Sequence, residues 1–337
     1  MIKDAFTKVK RGENLSRSQV EGVFTDIMTG KADTDSIASF LLALKEKGET
    51  IEEITGAALI MRKFAEKIKP NRNDLIDTCG TGGDCQGTFN ISTVSALVCA
   101  GAGCAVAKHG NKSVSSKCGS ANLLEELGVN INVDKDIVLR SIDAIGIGFL
   151  FAPNFHPAMR YAMAARGKIK TRTVFNILGP LTNPAGAKRQ VIGVFDKELL
   201  GVLAKVLKNL GLTRAMIVHG RDGLDEVTVQ TITDIAELED GNVKFYELDP
   251  AKYKIKLCRK EDLLGGEPSE NAKIAMKILR GEKGPKRSAV LLNAGCAIYI
   301  AGIANDIEEG VKRAEESIDS GKALSKLEEL KKITNAK

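Results

Sequence analysis

Two loops in the first half of the chain carry small, hydroxylated and basic residues of the kind that bind phosphate groups. The first, the glycine loop, is residues 80–84 (Gly-Thr-Gly-Gly-Asp), and Asn-Ile-Ser-Thr follows it at 90–93. The second, the lysine–serine loop, is residues 108–120. Glycines let a ligand approach bare N–H groups, helix starts attract anions, and Lys108 and Lys112 add positive charge. The two loops therefore suit a ligand with several phosphates.

The pattern around these loops predicts strands and helices that place them side by side. A short apolar run leads into the glycine loop, a small-residue run at 94–107 contains a helix and the next strand, and an apolar helix ends at Gly128. A lone glycine turn is more often only a tight turn, and the spacing here fits neither a P-loop nor a dinucleotide fingerprint. Because two anion-friendly loops follow consecutive strand–helix units, we expect them to converge on one diphosphate group.

A pair of adjacent carboxylates, Asp225 and Glu226, follows a predicted strand in the second half of the chain. Adjacent acids are usually just solvated, and taken alone they indicate little. A pyrophosphate ligand, however, normally arrives with Mg²⁺, which takes one or two carboxylates together with phosphate oxygens and waters. The pair is therefore a candidate magnesium site.

Residues 1–70 predict helices only, whereas the rest of the chain alternates strands and helices. Asp33 or Thr34 and a capping box at Thr50 and Glu53 mark helix starts. We expect an α/β fold in which a small all-helical N-terminal domain lies beside a larger α/β domain with a mainly parallel central sheet, with a cleft between them. The helical domain is residues 1–70, completed by about 170–186, and the α/β domain is 71–169 and 187–337. Runs at 227–232 and 243–248 predict an antiparallel edge.

Composition argues against several classes of protein. The 337 residues carry a net charge of only +6 at pH 7, few aromatic residues and no Trp, which argues against a nucleic-acid partner. The longest apolar run is too short for a membrane span, and no secretory signal follows Met1. The seven cysteines are odd in number and irregularly spaced, as is typical of reduced thiols. We expect a cytoplasmic protein with no nucleic-acid or membrane partner.

At the two loops and several later motifs, the sequence resembles the anthranilate phosphoribosyltransferase family. The resemblance covers nearly the whole chain. It rests on the two loops and on residues 121–124, 151–153, 156–159, 172–173 and 175–181. The resemblance implies transfer of the 5-phosphoribosyl group from 5-phosphoribosyl-1-pyrophosphate (PRPP) to the amine of anthranilate, in tryptophan biosynthesis. It also implies a Mg²⁺ cofactor and a homodimer formed through the helical domain.

The resemblance further implies roles for individual residues. Those implied for PRPP are Gly80, Gly83, Asp84, Thr88, Asn90, Ile91, Ser92, Thr93, Lys108, His109, Gly110, Asn111, Lys112, Ser113, Val114, Ser115, Ser116 and Ser120. Those implied for anthranilate are Gly80, Asn111 and Arg166, with His109, Pro153, His156, Gly179 and Pro180 lining the approach. Those implied for the metal are Ser92, Asp225 and Glu226, with Asp84 orienting a metal-bound water. No acid or base is assigned, because an aryl amine is already neutral at about pH 7 and can attack without one.

Two other functions stay open at the level of sequence. A pyrimidine nucleoside phosphorylase of the same architecture shares a Lys-His-Gly-Asn-like loop, so the lysine–serine loop alone discriminates poorly. A non-catalytic, nucleic-acid-binding relative would have degraded glycine and metal motifs and a basic face. The 175–181 motif, the Asp225 and Glu226 pair and the glycine loop favour the transferase.

Overall fold

A single mainly parallel sheet organises the larger part of the molecule. The structure is a computed structural model that describes residues 1–113, 117–169 and 171–336. Within these residues the strands are β1 (Ile76–Gly80), β2 (Val106–Gly110), β3 (Ile147–Phe151), β4 (Arg189–Gly193), β5 (Arg214–Gly220), β6 (Thr233–Glu239) and β7 (Asn242–Leu248). Their order across the sheet is β3-β2-β1-β4-β5-β6-β7. The first five are parallel, and β6 and β7 add an antiparallel edge.

The N-terminal part is helical, as predicted. Its helices are α1 (Ile2–Lys10), α2 (Arg17–Met28), α3 (Thr34–Lys47) and α4 (Ile51–Phe64). The Asp33 side chain caps α3, and Thr50 and Glu53 form the predicted capping box of α4. Phe24 and Phe40 are fully buried among these helices. Local sequence signals therefore fix both helix starts.

Helices cover both faces of the sheet. The helices after α4 are α5 (Ile91–Gly101), α6 (Ser120–Glu126), α7 (Lys135–Ile145), α8 (Ala152–Phe155), α9 (Arg160–Lys168), α10 (Val174–Leu178), α11 (Leu199–Asn209), α12 (Pro268–Leu279), α13 (Pro285–Ile300), α14 (Ile307–Asp319) and α15 (Lys322–Thr334). Successive side chains of a strand face opposite ways. Val191 of β4 accordingly packs with α5 and α13, and the next residue, Ile192, packs with α11 and the N-terminal helices. Two buried cores thus hold the strand ends rigidly.

The segment after α9 lies against the N-terminal helices. The ring of Phe175 in α10 is 5.7 Å from that of Phe24, centroid to centroid. Arg62 of α4 donates to the Leu181 carbonyl at 2.6 Å and to the Leu210 carbonyl at 3.3 Å. These contacts support the idea that the segment completes the helical domain, and the domain limits given above stay a prediction.

One predicted strand is wrong. Residues 227–232 form a turn, and the antiparallel edge begins only at β6. Val227 and Val229 are fully buried, which explains their strand-like pattern. The backbone of Val227 is instead bonded to the Asn293 side chain, which accepts from its N–H at 2.9 Å and donates to its carbonyl at 2.7 Å.

In the described part of the chain, no helix is long and apolar enough to cross a membrane.

Candidate active site

The glycine loop leaves the carboxyl end of β1 and is held by a carboxylate from a distant segment. Gly82 and Gly83 have φ angles of +66° and +77°. The Gly82 N–H donates to Asp225 Oδ2 at 2.7 Å. A Cβ at Gly80 would lie 2.7 Å from the same oxygen. Glycine at position 80 is therefore what lets the carboxylate come this close to the loop.

Asp225, Glu226 and Asp84 form a cluster of half-buried acids behind the loop. Glu226 Oε1 accepts a hydrogen bond from the Ser92 N–H at the start of α5, 3.2 Å away. Burial, together with the negative charges of Asp84 and Glu226, raises the pKa of Asp225 well above its usual range. Burial also raises the pKa of Glu226 to about 7, although the charge of Lys108 opposes the rise. The cluster would thus be stabilised by a cation.

The donor set fits a cation that the protein shares with a ligand. Among the described residues, no group of three or more His, Cys, Asp or Glu side chains is placed so that it could hold a metal ion. Asp84 Oδ2 is nevertheless buried, with no hydrogen-bond partner among those residues. Mg²⁺ prefers oxygen ligands and usually takes only one or two carboxylates, with phosphate oxygens and waters completing its octahedron. Asp225 and Glu226 match that incomplete protein set, with Asp84 beside them.

Lys108, in the middle of β2, reaches toward the neighbouring strand β1 rather than extending outward. It is 4% exposed, and its Nζ donates to the Thr78 carbonyl at 2.5 Å. Its charge lowers the pKa of both Glu226 and the buried Asp77, against the larger effect of burial. The ammonium group therefore supplies fixed positive charge to the acid cluster.

Backbone and amide groups of the lysine–serine loop bond to one another. The Asn122 side chain accepts from the Ser113 N–H at 3.2 Å and from the Gly119 N–H at 3.1 Å. Ser120 Oγ donates to the Asn111 carbonyl at 3.3 Å. Lys112 forms an ion pair with Glu125 at 3.0 Å. Val114, Ser115 and Ser116 lie outside the described residues. Gly110 lies in the same loop, and a Cβ at this position would lie only 2.2 Å from Ser120 Oγ.

Asn90 joins the start of α5 to the lysine–serine loop. Its Nδ2 donates to the Cys118 carbonyl at 2.9 Å, which ties the start of α5 to the lysine–serine loop. The Asn90 side chain makes no capping hydrogen bond to α5, because that amide is used elsewhere and Glu226 takes the Ser92 N–H. Thr93 is 2% exposed, so its side chain points into the core.

Two more residues implied for PRPP also contact the protein rather than open space. Ile91 is 1% exposed, and Thr88 pairs with Leu264 in an isolated β-bridge. The Ile91 N–H also donates to the Phe89 carbonyl at 2.7 Å, so this backbone group is bonded within the protein as well.

Two neutral histidines face each other on the other side of the site. The ring centroids of His109 and His156 are 5.1 Å apart. Both side chains are buried, and neither Nε2 has a hydrogen-bond partner among the described residues. Burial lowers the pKa of His109 to about 3, with a further contribution from His156, and lowers that of His156 to about 4. The backbone of Gly179 forms a hydrogen bond with the His109 side chain. Pro180, the next residue in the sequence, is buried. Both rings are therefore uncharged at neutral pH.

Arg166 lies on α9, which follows the exposed Pro153 and the His156 segment along the chain. Its guanidinium group stacks over the Phe175 ring, 5.3 Å from the centroid. Burial lowers the pKa of Arg166 below its usual range. In the described part of the chain no hydrogen bond or ion pair of this guanidinium is found. A half-buried arginine in that state can accept a planar carboxylate.

Sequence reasoning missed two residues that support the site. Asp77 of β1 is fully buried and accepts from the His109 N–H at 3.1 Å and from Asn183 Nδ2 at 2.8 Å. Arg172 donates to the Gly83 carbonyl and stacks 4.0 Å above the Phe195 ring. Arg172 belonged to a recognised motif, whereas Asp77 gave only the weak signal of an acid at the end of an apolar run.

Comparisons with known proteins agree along the whole chain. The glycosyl transferase family, helical bundle domain, matches residues 3–65, and the glycosyl transferase family, a/b domain, matches residues 72–324. The anthranilate phosphoribosyltransferase of Acetivibrio thermocellus is 53% identical over 336 residues, covering 100% of this chain and 97% of the relative.

Solved structures of similar proteins have the same fold. The crystal structure of anthranilate phosphoribosyltransferase from Thermus thermophilus is 43% identical, with a TM-score of 0.94, and the match covers 99% of this chain and 100% of that one. The enzyme from Saccharomyces cerevisiae, in complex with PRPP and Mg, is 28% identical, with a TM-score of 0.91 and coverage of 99% and 97%.

Proposed function

The chain belongs to the anthranilate phosphoribosyltransferase family, and from this premise we propose which of its residues carry the reaction. The enzyme transfers the 5-phosphoribosyl group of PRPP to the amine of anthranilate, giving N-(5-phosphoribosyl)anthranilate and pyrophosphate, in tryptophan biosynthesis. In our proposal the glycine loop, the lysine–serine loop and the start of α5 bind PRPP. The segment between β3 and β4 binds anthranilate.

The acid cluster is the observation that carries the donor side of this proposal. Asp225 and Glu226 bond to backbone groups of the glycine loop and of α5, and both carboxyl groups have raised pKa values. We propose that Asp225, Glu226 and Ser92 hold Mg²⁺, with Asp84 beside them. Bound Mg²⁺ would neutralise negative charge on the pyrophosphate. The yeast enzyme bound to PRPP and Mg supports the presence of this metal in the family.

The chain's own groups stabilise the departing pyrophosphate. As the C1–O bond of PRPP breaks, positive charge develops on the ribose and negative charge on the leaving group. Asp225 and Glu226 hold the glycine loop and the α5 start in place before the reaction, and Lys108 adds a buried positive charge. Such preorganised groups stabilise charge as it develops, without reorganisation during the reaction.

The acceptor side is built for a flat, neutral amine with a carboxylate. We propose that Arg166 binds the carboxylate of anthranilate and that His109 and His156 line its ring. Because both imidazoles are neutral, they leave the carboxylate to Arg166 and can donate or accept a hydrogen bond at Nε2. The aryl amine needs no strong base, so positioning of the two substrates supplies much of the rate.

The assembly, location and domain limits remain part of the proposal. Leu42, Tyr161 and Met163 are large apolar side chains exposed on the helical side of the molecule, which supports a homodimer formed there. Light scattering after size-exclusion chromatography tests the dimer. A biosynthetic role supports a cytoplasmic location. The helical domain is proposed to be residues 1–70 and about 170–186, with the remainder in the α/β domain.

Loss of anthranilate fluorescence tests the function directly. The signal should fall only when enzyme, PRPP and Mg²⁺ are all present, and omission of either PRPP or Mg²⁺ should abolish the change. Incubation with uridine or thymidine and inorganic phosphate serves as the control. A stable anthranilate signal together with phosphorolysis of a nucleoside would replace this proposal with the phosphorylase function.

A further inference from the structure

Asn271 of α12 is a buried amide whose two ends are both used. It is 2% exposed, and its Oδ1 accepts from the Gly266 N–H at 2.8 Å. Its Nδ2 donates to Asn90 Oδ1 at 3.0 Å, across 181 residues of sequence. Buried amides are usually fully hydrogen-bonded, and this one uses half of its capacity on a residue of the PRPP site.

Backbone groups at both ends fix the direction of the hydrogen bonds. The Gly266 N–H can only donate, so the oxygen of Asn271 must face it. The nitrogen of Asn271 then faces Asn90, whose oxygen accepts, and the nitrogen of Asn90 donates to the Cys118 carbonyl at 2.9 Å. The orientation of both amides follows from this chain of donors and acceptors, and neither can flip alone without losing a bond.

The same contacts hold three segments together. Gly266 lies in the turn before α12, Asn90 lies at the start of α5, and Cys118 lies in the lysine–serine loop. The turn also bonds to the stretch between the glycine loop and α5, where the Gly265 N–H donates to the Gly87 carbonyl at 3.0 Å. A Cβ at Gly265 would lie 2.6 Å from Asn271 Oδ1, so this packing leaves no slack.

We propose that Asn271 is a positioning residue for the phosphoribosyl donor. It sets the orientation of the Asn90 amide and the spacing between the α5 start and the lysine–serine loop, and it does so without contacting either substrate. This inference rests on the proposed function, because it assumes that both loops bind PRPP. Its consequence is selective: donor binding depends on Asn271, and acceptor binding does not.

The test variant is Asn271→Asp, which keeps size and the acceptor for Gly266. The new oxygen faces Asn90 Oδ1 and cannot donate, so Asn90 must either lose this bond or flip and lose the bond to Cys118. We expect KM for PRPP, measured at saturating anthranilate, and Kd for PRPP with Mg²⁺, measured by calorimetry, to rise about tenfold, which corresponds to about 1.4 kcal/mol. KM for anthranilate at saturating PRPP should change less than about twofold on the same reasoning.

Ser317→Ala is the matched control on a neighbouring C-terminal helix. Ser317 is also 2% exposed, and its Oγ donates to the Val98 carbonyl at 2.8 Å, away from the loops. This variant should lower the melting temperature and leave both KM values unchanged. If Asn271→Asp does not fold, Asn271→Ser, whose shorter side chain cannot reach Asn90, takes its place with the same expectation.

Two outcomes separate this inference from the proposed function. Unchanged KM and Kd for PRPP in a folded, active Asn271 variant would overturn the positioning role while leaving the transferase intact. A purely structural role would instead lower the active fraction, and hence kcat, with both KM values as in the wild type. Absence of anthranilate turnover by the wild-type enzyme would count against the function, and calorimetry with PRPP would still report on Asn271.

Discussion

The donor side and the acceptor side of the candidate site differ in how their polar groups are satisfied. On the donor side, most carboxylates and amides bond to backbone groups, as Asp225 does to Gly82 and Asn90 does to Cys118, although Asp84 Oδ2 has no partner among the described residues. On the acceptor side, His109 and His156 each hold a buried Nε2 with no partner among the described residues. The Arg166 guanidinium rests on an aromatic ring.

This difference indicates two ways of achieving specificity. The glycine loop and the start of α5 are held in place by hydrogen bonds before a ligand arrives, which favours stabilisation of developing charge. The acceptor side keeps unpaired polar groups, and such a site rejects a molecule that lacks the matching group because the buried atoms then stay unpaired. The donor side should therefore govern turnover, and the acceptor side should govern the choice of acid.

The largest effect is expected from the acid cluster. Replacing Asp225 with Asn and Glu226 with Gln keeps the shape and removes the charges, so kcat/KM should fall by about 10²–10³-fold, the loss typical of a group that stabilises transition-state charge. The Mg²⁺ concentration needed for half-maximal rate should rise as well. Steady-state rates across a Mg²⁺ titration provide the measurement. If the double variant kept the wild-type Mg²⁺ dependence, the acid cluster would not be the metal site.

A smaller and more selective effect is expected from Arg166. Arg166→Ala removes a bidentate, charge-assisted contact, so KM for anthranilate should rise by about 10–100-fold. KM for PRPP should stay near its wild-type value. Arg166→Lys should restore only part of the affinity, because an ammonium group lacks the planar fork. Equal increases in both KM values would contradict the assignment of Arg166 to the acceptor side.

Adding one methyl group on each side compares the two sides directly. In Gly80→Ala the Cβ would lie 2.7 Å from Asp225 Oδ2, whereas at Gly179 a Cβ would meet nothing within 4 Å. We expect Gly80→Ala to raise KM for PRPP about tenfold through displacement of the carboxylate. Gly179→Ala should fold normally, leave KM for PRPP unchanged and affect only anthranilate. If Gly80→Ala affected only anthranilate and Gly179→Ala raised KM for PRPP, the assignment of the two glycines to the donor and acceptor sides would be wrong.

The smallest effect concerns stability rather than rate. His109 and His156 have pKa values of about 3 and about 4 in the folded protein, below the usual value. The unfolded chain, with a histidine pKa of about 6.5, therefore binds more protons in acid, and stability falls as pH drops below that value. As pH drops from about 7.5 to about 5.5, each histidine should lower the free energy of unfolding by about 1.4 kcal/mol. Denaturant titrations of wild type and His156→Gln at both pH values measure this; an equal loss in the variant would contradict the assignment.

Parts of the molecule that depend on local sequence could be predicted, and those that depend on distant contacts could not. The Thr50 and Glu53 capping box, the glycine loop and its placement after β1 all follow from neighbouring residues. The bond between Asn90 and Asn271 spans 181 residues, and no pattern near Asn90 indicates it.

The incorrect strand at residues 227–232 has the same cause. Alternating valines there resemble a strand, but an Asn293 side chain from α13 takes the backbone groups that a neighbouring strand would have used. Burial of Asp77 and the pairing of its carboxylate with Asn183 likewise come only from the way the sheet and its connections pack. The candidate residues could therefore be named from the sequence, whereas the contacts that support them could not.

A crystal structure of this protein with PRPP and Mg²⁺ tests the central claim most directly. The account predicts that the pyrophosphate lies between the glycine loop and the lysine–serine loop, with a metal ion contacting Asp225 or Glu226. A donor bound in another cavity, or contacting only one of the two loops, would contradict it.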